Sequence, residues 1–341
     1  MKTVHYEILT LVVLALFSIW AYAGKVLGWH EGFSFSPTVS TVIIILLAAS
    51  LLWVLIRTLQ DRLVGRRVVF LYIGIALSLP LFMSIEQPIR VSDEVRGVYE
   101  PLTELSPGSK VLVSFDYDPA SAPELQPMAE AILGECFKRD LDVIVIGLWP
   151  MGPQQAVLAY DSIRFRMGLT DADVVYGRDF VNLGYQAGGE FVIQRMGSSI
   201  ESMFRSDIRG TPYQDIPLVK NVKNFSNIDY SVNLSSGFPG TPEWVQVAVD
   251  RYGLRLGAGN TAVQAPTVYP YLGTKDKPGQ LVGLMGGMSG AAEIEKLTDL
   301  KGKATTFMLS QSFAHVIVIA FIIIGNVAYF RGGRKSKLKG D

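Results

Sequence analysis

The chain has 341 residues, 49% of them hydrophobic, and its 31 Lys and Arg balance 31 Asp and Glu, giving a formal charge of zero. That balance averages two unlike populations, because residues 85–303 hold 20 bases and 27 acids while the remainder holds 11 bases and 4 acids. An acidic central segment excludes a phosphate-binding nucleic-acid face, and with no histidine in that segment and only Cys136 in the chain, a Ser-His-Asp triad, a His-ligated zinc site and an intrachain disulfide are excluded there.

Residues 8–23 are the first apolar run, set between Lys2 and Lys25. Ala21-Tyr22-Ala23 has the small-x-small form of a signal-peptidase site. Glu7 abuts the run, however, and apolar character continues through Val26 and Leu27, so an uncleaved helix over about 8–27 is expected. Residues 32–56 carry no charge and are most apolar from 42 onward, which predicts a second span at 38–56. Arg57, Arg62, Arg66 and Arg67 against Asp61 then form a basic loop, cytoplasmic by the positive-inside rule. A third span is expected at 68–85, kinked by Pro80, with Gly74 and Ser78 four apart on one face. Such a small-residue pair suits close helix contact, either within the chain or between copies.

The elements of residues 85–303 follow. Residues 85–109, with Pro88, Pro101 and Pro107, predict an irregular stalk containing a short strand near 91–99. Residues 110–116 predict a strand, 123–137 a helix, and Asp142 to Leu148, DVIVIGL, a strand buried on both faces. The alternation continues: helix 153–167, strand 173–176, helix 188–204, strand 228–234, helix 242–252, strands 254–258 and 280–284, and helix 290–297. This pattern predicts an α/β domain over 110–303 with a mainly parallel sheet, a flavodoxin-like or periplasmic-binding-protein-like lobe.

The fourth span is expected within 304–330, since residues 307–330 contain no acid or base other than His315. Arg331, Arg334, Lys335, Lys337 and Lys339 follow in a basic tail, 331–341. These flanks place both termini in the cytoplasm and the α/β domain outside it. Gln311 and His315 share one face of the last span, and hydrogen bonding between helices is their expected role.

In open α/β sheets, ligands bind beyond the carboxyl ends of the strands, so the loops there hold the candidate site. Asp116 and Asp118 resemble the DxD of haloacid-dehalogenase-type phosphotransferases and of metal-nucleotide glycosyltransferases, a resemblance that implies Mg²⁺ held by carboxylate oxygens. No companion motif follows, and a solvated turn capping the next helix is the reading preferred. Gly286, Gly287 and Ser289 lead into the last helix of the domain and Asn260 lies in the loop after the strand at 254–258; either could approach an anion, while close packing explains the glycines as well. Cys136 falls on an apolar helix face and reads as core. Residues 261–278 form a long loop, and Tyr269 and Tyr271 within it are expected to contact a neighbouring copy or subunit.

No cofactor or metal is expected. The function expected is a structural or assembly subunit of a membrane complex. The partners expected are the lipid bilayer and either further copies or other membrane subunits. A small-solute binding or sensing module is the alternative, and an Asp-dependent metal-assisted hydrolase or transferase comes last.

Overall fold

The computed structural model describes residues 12–13, 15–21, 23–24, 27, 34–60, 66–83, 89–273, 279–300 and 302–337. The chain divides into two compact units, Met1–Pro88 with Thr306–Asp341, and Ile89–Thr305.

In the first unit the described part of residues 12–24 is helical, followed by α1 (Pro37–Leu59) and α2 (Arg66–Ser78). Helix α2 ends in a 3₁₀ turn, Leu79–Phe82. Pro80 lies in its first turn, where a residue without an N–H ends the α-helical ladder. The consequence corrects the expectation of four spans. Among the described residues two helices are long and apolar enough to cross a bilayer: Pro37–Arg57, with mean hydropathy 2.8, and Lys303–Phe330, with mean hydropathy 2.2. Arg67–Phe82 is apolar but shorter. At 1.5 Å per residue it extends only about 25 Å, against a hydrocarbon core of about 30 Å. Several residues of the run expected at 8–27 lie outside the described set. Val54 and Tyr72 pack with Ile317 and Ile324 of the last helix, and Ala21 packs with Leu81 and Phe82.

The second unit begins where a stalk was expected and is instead a helix, α3 (Asp93–Glu104). Ser92 caps it by accepting the Val95 N–H, and Val95, Val98 and Leu102, spaced three and four apart, are buried. The prolines of 85–109 obscured this stripe. Gly97 makes the contact possible, since a Cβ there would lie 2.1 Å from the Val282 carbonyl oxygen.

The sheet has six parallel strands in the order β3-β2-β1-β4-β5-β6: β1 (Lys110–Asp116), β2 (Asp142–Gly147), β3 (Phe180–Tyr185), β4 (Tyr230–Ser235), β5 (Leu256–Asn260) and β6 (Leu281–Gly286). Val113 of β1 stands opposite Val145 of β2 and Val232 of β4. Between the strands run α4 (Ala122–Lys138), α5 (Gly152–Met167), α6 (Glu190–Met196) and α7, a continuous helical run of Thr241–Trp244, a π-turn Val245–Val249 and Asp250–Tyr252. Then come α8 (Ala265–Val268), α9 (Gly287–Leu297) and finally α10 (Lys303–Lys337). This mixed α/β arrangement is consistent with a flavodoxin-like lobe. Its winding reverses between β1 and β4, which makes that junction the topological switch point.

Three local expectations change. Residues 173–176 are not a strand, because Asp173 accepts the Thr170 N–H and hydroxyl in a turn and Gly177 has a positive φ; the strand follows at β3. The helix expected over 188–204 is only the seven-residue α6, which stops at Gly197 before Ser198 and Ser199. The loop expected over 261–278 contains α8 and a 3₁₀ turn, Tyr269–Tyr271, anchored by the fully buried Val268. Residues 274–278 lie outside the described residues.

Both ends of this unit are tied to α9, as an insertion requires. Glu293 accepts the Ser92 N–H and hydroxyl, and the Lys296 ammonium donates to the Ile89 carbonyl. Glu295 accepts the Ala304 and Thr305 N–H groups at the first turn of α10.

Candidate functional site

The switch point is occupied by the protein's own polar side chains. Asp116, the last residue of β1, is completely buried. One carboxylate oxygen, Oδ1, accepts the Leu148 N–H at 2.7 Å, and Oδ2 accepts the Ser114 hydroxyl at 2.8 Å, the Asn233 amide at 2.7 Å and the Trp244 indole N–H at 3.0 Å. Burial pushes the Asp116 carboxyl up to about 6 from 3.8, and these four donors oppose the rise without cancelling it.

The network extends across the sheet. Asn260, at the end of β5, donates to the Ser235 carbonyl and to the Thr241 hydroxyl, which in turn donates to Asn233 Oδ1 at 2.6 Å. The Thr241 hydroxyl also lies 3.1 Å from Asn260 Oδ1, and through Asn233 the chain of bonds connects Asn260 and Thr241 to Asp116. The chain ends on an acceptor that has no proton to give, so the ionised carboxylate matches it best. A buried network in which each member has a partner specifies a unique packing.

An apolar rim is built from the end of β3, the start of α6 and the segments that follow β2, β4 and β5. Met151, Tyr185, Phe191, Phe238, Val263 and Tyr269 are all exposed, Phe238 at 75% and Val263 at 87%. Trp149 lies against the loop that carries Phe238, with its indole donating to the Pro239 carbonyl at 2.8 Å and its ring against Gly237. The β3 loop joins the same surface, since a Cβ on Gly189 would lie 3.5 Å from Pro239. Beside it, at the carboxyl end of the edge strand β3, a groove of about 530 Å³ is lined by residues 183–186 and 202–208.

The residues singled out from the sequence are dispersed. Asp116 and Asn260 join one network, whereas Asp118 accepts the Ala120 and Ser121 N–H groups in a turn before α4. Both Asp116 oxygens are engaged inside the protein, so the pair does not present a joint metal site. Among the described residues no cluster of three or more His, Cys, Asp or Glu is placed to hold a metal. Gly286 and Gly287 pack against the α8 region: a Cβ on Gly287 would lie 2.7 Å from that of Ala262. Ser289 is exposed and donates to Glu293.

Tyr269 stands in the rim, but Tyr271 is half-buried against the domain's own core, with its hydroxyl accepting from Gln246. Gly74 and Ser78 face Ser18 of the same chain, the two hydroxyls 2.6 Å apart. Gln311 and His315 are exposed on the outer face of α10. Sequence reasoning missed Asn233, Thr241 and Trp244, whose one available signal was the alternation of the polar Ser231, Asn233 and Ser235 with larger apolar residues along β4. Comparison with known families, curated proteins and solved structures yields no match, so the reading rests on this geometry.

Proposed function

We propose that the protein is a membrane-embedded assembly subunit whose α/β head lies outside the cytoplasm and makes protein contacts through the rim at the strand ends. The rim carries this reading. Large apolar side chains exposed at the ends of several neighbouring strands are of the kind that marks a protein interface, while the polar atoms of Asp116, Trp244 and Trp149 at those ends bond within the protein. For the membrane part, the reading has α1 and α10 cross the bilayer, supported by their apolar length and by the packing of Val54 with Ile317 and Ile324, with the basic tail after α10 in the cytoplasm.

The test uses the full chain in intact cells. Cys136 is buried, so Phe238→Cys adds the one reactive thiol of the head. An impermeant maleimide should label it, and an impermeant maleimide photo-crosslinker should give one adduct of discrete mass that Val263→Asp abolishes. Absence of labelling reverses the topology, and labelling without an adduct removes the contact reading. The second reading, solute binding, rests on the groove beside β3, and a thermal shift with a solute that Arg205→Ala cancels would favour it.

A further inference from the structure

Helix α10 has two faces of different character. The inner face packs Ile317 and Ile324 with Val54, Tyr72 and Ala76. On the outer face stand Gln311, His315, Val318, Ile322, Gly325 and Tyr329, at steps of four, three, four, three and four residues, all exposed. Alternating steps of four and three follow the 3.5-residue period by which two helices remain in contact along a left-handed coil.

This face is unsuited to lipid. Gln311 and His315 lie within the apolar stretch Lys303–Phe330 and have no hydrogen-bond partner among the described residues. Polar side chains turned toward hydrocarbon are costly and ordinarily face another helix. Further along, a Cβ placed on Gly325 would meet nothing within 4 Å, which leaves room for a second backbone to approach.

We infer that α10 pairs through this face with α10 of a second copy of the chain. Copies in one membrane share an orientation, so a two-fold axis along the membrane normal sets their last helices parallel and in register. Gln311 then meets Gln311 and His315 meets His315. A carboxamide both donates and accepts, as does a neutral imidazole, so each residue complements its own copy without needing a different chemical partner. The pairing uses the membrane helix alone and does not rest on the proposed contacts of the head.

Single cysteines introduced from 311 to 329 in the full chain, in native membranes and under mild oxidation, test the pairing, with the buried Cys136 remaining silent. Disulfide-linked dimers should peak at Gln311→Cys, Val318→Cys, Ile322→Cys and Gly325→Cys and be minimal at Ile317→Cys and Ile324→Cys. Maxima at the inner positions, adducts with a protein of different mass, or no dimer at any position would overturn it. Phe238→Ser in the head should leave the pattern unchanged. In liposomes, Gln311→Leu should weaken energy transfer between labelled copies by roughly three- to tenfold at constant helicity. Unchanged transfer would remove the hydrogen-bonding role assigned to Gln311.

Discussion

Asp116 and Gln311 are polar residues set among apolar neighbours, and the protein treats them in opposite ways. Asp116 is fully buried, with donors from Ser114, Leu148, Asn233 and Trp244. Gln311 is exposed on the outer face of α10 without a partner among the described residues. The difference separates polarity that closes a fold from polarity that is left for another chain. A satisfied buried group fixes the packing around it, and an unsatisfied group in an apolar surrounding gains free energy only by meeting a further molecule.

The strongest way to break this contrast is to remove the hub. Asp116→Ala leaves the donors of Ser114, Asn233, Trp244 and Leu148 facing a cavity, and unfolding of the α/β head should become easier by about 3–5 kcal/mol. Denaturant titration followed by tryptophan fluorescence measures it, with Trp244 in the network and Trp149 next to Leu148 as probes. A loss below about 1 kcal/mol would mean that the network is incidental to the fold.

Acidity sharpens the same point. In the unfolded chain Asp116 ionises near 3.8, and in the fold at about 6. Between those values the native state keeps a proton that the unfolded chain has released, so Asp116 makes the head less stable as pH rises through this window. The accumulated difference is about 3 kcal/mol. Stability measured from pH 4 to pH 7 in the native protein, minus that of Asp116→Asn, isolates this slope. A difference that grows more stabilising toward pH 7 would show that the hydrogen bonds outweigh burial.

The smallest effect belongs to the membrane helix. Gln311→Leu should leave denaturant unfolding of the head unchanged, within about 0.5 kcal/mol. The same variant should lower self-association in the membrane, by about 1 kcal/mol. Destabilisation of the head by this variant would make Gln311 a residue of the monomer fold and erase the contrast with Asp116.

Much of the architecture was legible because it is written in local periodicity. The β-branched run of β2, the alternation of strand and helix, and the two long uncharged runs each follow from neighbouring residues. The helix α3 was not, because its prolines read as an irregular stalk, whereas burial of Val95, Val98 and Leu102 on the sheet tolerates Pro101 within the helix. The length of the third apolar helix was overestimated for a related reason: composition carried the reading past Pro80, where the backbone ends the helix.

Charge distribution and hydrophobic period, properties of short stretches, are what the sequence by itself determined: an acidic α/β domain inserted between apolar helices with basic flanks. The role of Asp116 was decided only by tertiary structure. Its partners Asn233 and Trp244 lie 117 and 128 residues away in the chain, and they reach it because β4 pairs with β1 and α7 folds back over the strand ends. The same holds for Gln311 and His315, whose four-residue spacing gave them a common face while the packing of Ile317 and Ile324 decided that this face points outward. Local sequence sets which side chains travel together, but burial depends on what the rest of the chain brings against them, and that is a property of the whole fold.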